Sequence, residues 1–274
     1  MQTFSFPQPL VSADWLMAHL GQVRVVDCRW SLDQGPKRAE YLSGHIPGAV
    51  FADLDVDLSD PPGARGRHPL PSPERFCSVR GRLGLLGPVV AYDDAGGAIA
   101  ARLWWMLRAI GVPCAVLDGG LQAGKGPLEE RDSTAASTPS PPPGLSPIPW
   151  PASHFVSISE VTRSISERTP LLDARSGARF RGEPNPVDPV RGHIPGARSR
   201  PWQENLGVDG RFLGESALAQ SFGDVDAVLA SCGSGVTGCH ILLAAAVVGI
   251  PGRLYVGSWS EWIWGGERAV EVGP

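Results

Sequence analysis

The sequence predicts an α/β protein made of two tandem copies of one domain, each a mainly parallel sheet covered by helices on both faces. Three observations predict it. Short apolar runs of strand character alternate with longer stretches that suit helices, the pattern of a parallel sheet built through helical crossovers. The order of these runs repeats once along the chain, and His-Ile-Pro-Gly-Ala occurs in each half, at His45 and at His193. Between the halves lies a stretch crowded with Pro, Ser and Thr and without an apolar period.

In the first half, Ala13 to Leu20 reads as a short helix and Val23 to Arg29 as a strand ending in a polar turn. Gly44-His45-Ile46-Pro47-Gly48-Ala49 and a Pro/Gly-rich loop, Ser59 to Pro73, follow. Next come a helix near Pro73 to Leu83, a buried strand Val89 to Tyr92, a helix near Ala98 to Ile110 and a strand Cys114 to Leu117. The Pro/Ser-rich run is expected to be an extended, partly polyproline-like linker. After it the order returns. A helix near Ser157 to Ile165, a strand Leu171 to Arg175, the second His-Ile-Pro-Gly-Ala segment and a strand Ala227 to Ser231 lead into a Gly-rich loop, a helix and a last strand, Arg253 to Val256. The expected boundaries are 8–124 for the first domain, 125–152 for the linker and 153–274 for the second.

Composition narrows the function classes. A chain of 274 residues, 42% hydrophobic and 19% charged, can bury two cores. A net charge of −4 without blocks of like charge argues against nucleic acid or an anionic membrane as the main partner. The longest apolar run, near Ile241 to Ile250, is too short to span a bilayer. The first ten residues lack the basic start and apolar core of a signal peptide, so the cytoplasm is the expected compartment. Five cysteines, at 28, 77, 114, 232 and 239, show no metal-ligand spacing.

The chemistry concentrates at Cys232, where a strand ends and a helix begins. Free backbone N–H groups in such a loop favour negative charge, and a thiol there can ionise at about pH 3.5–7.5 rather than near 8.5. The glycines at 233 and 235 let the loop N–H groups turn inward. A phosphatase loop would need Arg six residues after the Cys, and that position is Gly238.

The repeat separates fold from function, since features kept by both halves belong to the fold. His-Ile-Pro-Gly-Ala is one such feature, and Asp-x-Arg, as Asp27/Arg29 and Asp173/Arg175, is another. Superposing the halves sets Asp93 opposite Cys232, so the first copy has no thiol at that place. Arg179 faces Asp33 in this alignment, and the acid and histidine of the 51–55 loop and of Arg67-His68-Pro69 have no counterpart in the second half.

Cys232-Gly233-Ser234-Gly235-Val236-Thr237 closely resembles the active-site loop of the rhodanese superfamily, in the version found in 3-mercaptopyruvate sulfurtransferases. Val89 to Gly120, both His-Ile-Pro-Gly-Ala segments and Tyr255 to Trp262 resemble the same family. The resemblance implies a sulfurtransferase whose thiolate Cys232 takes sulfur from 3-mercaptopyruvate as a persulfide. Cyanide or a thiol, a thioredoxin-like protein among the candidates, would then accept it. No metal or organic cofactor is implied. Gly233, Gly235, Val236 and Thr237 would form the substrate-binding loop, and Arg179, before Phe180, would hold the donor carboxylate. By the same resemblance Asp55 and His68 would meet Ser234 across the domain interface as a proton relay. The run Gly182 to Val187 departs from the family pattern, being a residue short and lacking a second carboxylate-binding Arg, for which Arg191 is the nearby candidate. The alternatives are a thiosulfate sulfurtransferase and a persulfide carrier with little turnover. Trp259, Trp262 and Trp264 are expected either to wall the pocket or to pack the final helix, and Cys239 to lie in the core.

Overall fold

The computed structural model describes residues 5–124, 126–133 and 144–274. Two compact units emerge from its contacts. One takes the described part of Met1–Asp60 with Leu70–Trp150 and Asp209–Arg211, and the other takes Pro61–Pro69, Pro151–Val208 and Phe212–Pro274.

The first unit runs β1 (Leu10–Val11), α1 (Ala13–His19), β2 (Arg24–Asp27), a small antiparallel pair β3 (Trp30–Ser31) and β4 (Gly35–Pro36), α2 (Arg38–Ser43), β5 (Val50–Phe51), α3 (Pro73–Leu83), β6 (Val89–Tyr92), α4 (Ala100–Ala109) and β7 (Cys114–Leu117). Five of these strands form one parallel sheet in the order β1-β7-β6-β2-β5. All four residues of β6 and of β7 are buried, as expected of parallel strands covered on both faces. Local signals set α3: the Ser72 hydroxyl caps it by accepting from Arg75 N at 3.1 Å, Pro73 opens it, and Gly84 at φ 68° ends it in the left-handed region.

The second unit runs β8 (Phe155–Val156), β9 (Leu171–Asp173), α5 (Gly177–Arg181), β10 (Ala197–Ser199), α6 (Glu215–Phe222), β11 (Val228–Ser231), α7 (Gly238–Val247), β12 (Gly252–Tyr255) and α8 (Ser258–Trp262). Its sheet is also parallel throughout, and its order β8-β12-β11-β9-β10 repeats that of the first unit strand for strand.

The features shared by the halves hold this fold together. Asp27 pairs with Arg29 at 2.7 Å and Asp173 with Arg175 at 2.7 Å, and each arginine also donates at 2.8 Å to the carbonyl just before the histidine of the His-Ile-Pro-Gly-Ala segment, Gly44 or Gly192. His45 stacks on Tyr41 with its Nδ1 2.7 Å from the Tyr41 carbonyl, and His193 stacks on Phe180 with its Nδ1 2.9 Å from the Phe180 carbonyl. These groups are turn formers and local charge pairs in both halves.

One predicted element differs. Ser157 to Ile165 is a series of turns with a 3-10 segment at Thr162–Ser164 rather than a helix. The Glu160 carboxylate accepts from both Ser157 N, at 3.1 Å, and Ser157 Oγ, at 2.6 Å, which closes a tight turn, and a serine-rich segment offers its backbone such local alternatives. Of the predicted linker, Lys125 and residues 134–143 lie outside the described residues. Its described parts up to Trp150 belong to the first unit, where Glu129 pairs with His45 through backbone bonds and Trp150 packs on Phe76 and donates to the Pro71 carbonyl at 2.8 Å. No helix among the described residues is long and apolar enough to cross a membrane.

Candidate active site

Strand β11 delivers Cys232 to the end of the second sheet, where the loop 232–237 opens into α7. The Cys232 Sγ accepts N–H groups from Ser234 at 3.4 Å and from Gly235 at 3.1 Å. Its own N–H donates to the Ser258 hydroxyl at 3.0 Å, and that hydroxyl donates to the Tyr255 carbonyl at 2.8 Å. Two further bonds tie the loop to the start of α8, from Trp259 N to the Cys232 carbonyl and from Ser260 N to the Gly233 carbonyl, both 3.0 Å. Ser258 is buried at φ 52°, a left-handed conformation that a non-glycine residue adopts only when its surroundings impose it. Here its hydroxyl bonds impose it.

Glycine is required at loop position 235 and fits a close-packed position at 238. A Cβ on Gly235, at φ 76°, would collide with the Val256 carbonyl oxygen. At Gly238, the first residue of α7, a Cβ would meet Leu254 at 3.0 Å and the Ser231 backbone at 3.3 Å. Thr237 precedes the helix and Val236 is buried.

His68 belongs to the second unit through the segment Pro61–Pro69, and its Nδ1 lies 2.7 Å from Ser234 Oγ, both residues being buried. Asp55 is part of the first unit, where its carboxylate accepts the Trp30 indole N–H at 2.9 Å.

The cations gather around Asp188, whose side chain is 1% exposed. Arg179 holds it through Nε at 2.7 Å and Nη2 at 2.8 Å, Arg175 lies 3.5 Å away and Arg67 3.7 Å away. Burial alone would raise the Asp188 carboxyl, but the three guanidiniums outweigh it and hold the group below the usual carboxylate range. With Asp173 included, three cations face two anions, so the cluster keeps one net positive charge beside the loop. Part of that charge is aimed at the loop itself. The point where a Cβ of residue 233 would sit is 2.7 Å from Arg67 Nη2 and 2.9 Å from Arg179 Nη2. Arg191 is exposed in the turn before His193.

The remaining thiols sit elsewhere. Burial pushes the Cys28 and Cys114 thiols up, with Asp27 and Asp93 adding to the effect at Cys28. Cys239 is fully buried in the first turn of α7, with its Sγ 3.4 Å from the Gly235 carbonyl. Trp259 and Trp262 are core residues packed with Leu171, Leu229 and Tyr255, whereas Trp264 is 56% exposed. Among the described residues no group of His, Cys, Asp or Glu could hold a metal ion.

In the first unit the position after β6 is Asp93, and its carboxylate fills the corresponding cradle. It accepts N–H groups from Ala95, Gly97 and Ile99 at 2.8 Å and from Ala100 at 2.9 Å. Burial pushes this carboxyl above the usual range while the four N–H groups pull it back. The first copy therefore carries its own anion where the second carries a thiol.

Arg67, Asp188 and Ser258 were not singled out by sequence. The signal available for Arg67 was its place beside His68 in a segment without a counterpart in the other half.

Comparison with known proteins places these features in context. The family model for a rhodanese-like domain matches residues 12–126. A Pseudomonas aeruginosa protein provisionally named a 3-mercaptopyruvate sulfurtransferase is 43% identical, over 96% of this chain and 98% of its own length. The 3-mercaptopyruvate sulfurtransferase of Escherichia coli is 34% identical over 92% of this chain and 94% of its own. SseB of Mycobacterium tuberculosis, provisionally named a thiosulfate sulfurtransferase, is 41% identical over 88% of this chain and 87% of its own. Among solved structures, SseA from Escherichia coli superposes with a TM-score of 0.76 at 34% identity, covering 92% of this chain and 99% of that one. The 3-mercaptopyruvate sulfurtransferase from Leishmania major gives 0.77 at 32% identity, covering 94% of this chain and 75% of that one.

Proposed function

The chain belongs to the tandem-domain rhodanese-like sulfurtransferases, and from that premise we propose that it moves a sulfane sulfur from 3-mercaptopyruvate to a thiol or cyanide through a persulfide on Cys232. The observation that carries this reading is the pair of loop N–H groups on the Cys232 sulfur, next to a hydroxyl–imidazole pair and a net positive cluster. Thiolate Cys232 attacks the donor sulfur, a new S–S bond forms and the donor C–S bond breaks. The electron pair of that bond passes to the three-carbon fragment as an enolate. Ser234, backed by His68, delivers the proton that makes it pyruvate. Charge on the sulfurs is stabilised by the loop N–H groups of Gly233 to Thr237. Arg179, its Nε and Nη2 held by Asp188, supplies positive potential at Gly233 for the donor carboxylate. The acceptor then takes the outer sulfur and regenerates Cys232, a two-step cycle. A reducing cytoplasm suits this chemistry, because it keeps Cys232 and the acceptor thiols reduced.

Thiosulfate is the second reading, and two guanidiniums at Gly233 favour it, because they could also receive a sulfonate. The positions directly after Cys232, Gly233 and Ser234, carry no cation of their own, which suits a monocarboxylate held at a distance from the sulfur better than a compact dianion. A donor panel with the purified protein, read as pyruvate and thiocyanate formed, tests both. The proposal predicts a higher kcat/KM for 3-mercaptopyruvate, and a ratio favouring thiosulfate would transfer the assignment to the second reading.

A further inference from the structure

A cavity of about 490 Å³ opens within the second unit beside the catalytic loop. Arg67 and Ser260 line its loop side, and Val187, Val190, Ile263 and Trp264 line the rest. Ser260 connects it directly to the loop through its bond to the Gly233 carbonyl. The donor has seven non-hydrogen atoms and takes less room than seven waters, which at about 30 Å³ each would fill roughly 200 Å³, less than half of this space. Cavities of this size hold organic molecules larger than the donor.

Among the described residues Arg67 is the one cation on the cavity wall. Gly66, at φ 98°, lets its segment run against Gly257 and Ser260, where a Cβ would sit 2.8 Å from the Gly257 carbonyl. Arg67 N donates to Ser260 Oγ at 3.0 Å, which fixes the backbone, while Nη1 donates to the Val187 carbonyl at 3.2 Å. Its Nη2 points at Gly233, and its Nε is buried without a hydrogen-bond partner among the described residues. Burial pulls this guanidinium down from its ordinary range, and Arg179 adds to the effect against the attraction of Asp188 and Cys232. Arg179 differs, because two of its nitrogens are already committed to Asp188. Arg67 is thus the under-compensated cation of the site, at the base of an apolar cavity with an exposed indole on its wall.

We infer that this cavity is the acceptor site of the sulfur-transfer cycle, and that it takes a small organic thiol carrying a carboxylate, anchored by Arg67 with its body against Trp264. The inference rests on the persulfide reading above. The acceptor thiolate attacks the outer sulfur of the Cys232 persulfide, one S–S bond forms as the other breaks, and the Cys232 thiolate leaves. No outside oxidant or reductant enters.

The test compares matched acceptors, 3-mercaptopropionate and 3-mercaptopropanol, in single-turnover transfer from full-length protein preloaded with sulfur. One charge-assisted contact predicts a preference for the carboxylate of roughly tenfold or more, and a ratio near one in Arg67→Leu, with partial rescue by Arg67→Lys. The ratio is taken within each variant, so it does not depend on how much of that variant folds. A loaded wild type without the preference, or a preference kept in Arg67→Leu, would overturn the inference. Calorimetric binding of 3-(methylthio)propionate to unloaded protein gives a readout independent of transfer. It should weaken at least tenfold in Arg67→Leu and also in Trp264→Ala, and unchanged binding in both would overturn the acceptor site. Failure of the wild type to load sulfur while this binding persists would instead overturn the persulfide reading.

Discussion

The imidazole Nδ1 of His68 lies 2.7 Å from the hydroxyl of Ser234, 166 residues further along the chain. If the two act as one proton-handling unit, removing either should remove the function of both. Positioned acid–base groups contribute about 10²–10⁴-fold. Ser234→Ala and His68→Gln should each lower kcat for 3-mercaptopyruvate within that range, and the double variant should fall little below the worse single one. Multiplicative losses in the double-mutant cycle would show that they act independently.

Asp188 ties the cations of the site together. Removing one partner of a buried charge cluster typically costs about 3–5 kcal/mol, so Asp188→Asn should be strongly destabilised and should also lose mercaptopyruvate turnover. The pH dependence has a definite sign. The folded carboxyl titrates below its unfolded value of about 3.9, so its contribution is complete above that value and is lost as pH falls through the folded one. Urea melts should therefore show a wild-type advantage that is constant from pH 5 to 7 and shrinks below about pH 4. An advantage that grew in acid would contradict the assignment.

Gly235 combines a left-handed φ of 76° with a backbone carbonyl where a side chain would begin. Gly235→Ala should lose at least about 2 kcal/mol of stability and most sulfur loading, because both the strain and the clash displace an N–H from the Cys232 sulfur. A fully active, equally stable variant in thermal melts and loading assays would show that the loop geometry is not needed.

Asp93 predicts a response confined to the first unit. Asp93→Ala leaves four loop N–H groups without their carboxylate, a loss of about 2–4 kcal/mol after water enters. Sulfate should raise the Tm of this variant more than that of the wild type, by refilling the cradle. Equal shifts in both would mean that the cradle does not bind anions.

Much of this was legible in the sequence, for physical reasons. Val89–Tyr92 and Val228–Ser231 are buried on both faces and so read as continuous apolar runs. The Cys232 loop announced itself because its geometry needs glycine at 235 and packs closely around Gly238. Strands of two residues, such as Val50–Phe51 and Phe155–Val156, are too short to carry a period. The short helix Glu215–Phe222 has only Leu218 and Phe222 buried, which left little stripe to read. Arg67 and Asp188 escaped notice because their association joins segments about 120 residues apart, as the bond from Arg67 to the Val187 carbonyl shows, and no local pattern encodes it.

The central claim is that Cys232 alone carries the sulfur, and intact-protein mass spectrometry after incubation with 3-mercaptopyruvate tests it directly. Cys28 and Cys114 are held as thiols by burial, so raising the pH to 9 should not recruit them, and Cys77 and Cys239 lie outside the loop. The wild type should gain one sulfur atom that cyanide removes, and Cys232→Ser should gain none. A cyanide-labile sulfur retained by Cys232→Ser would contradict the account.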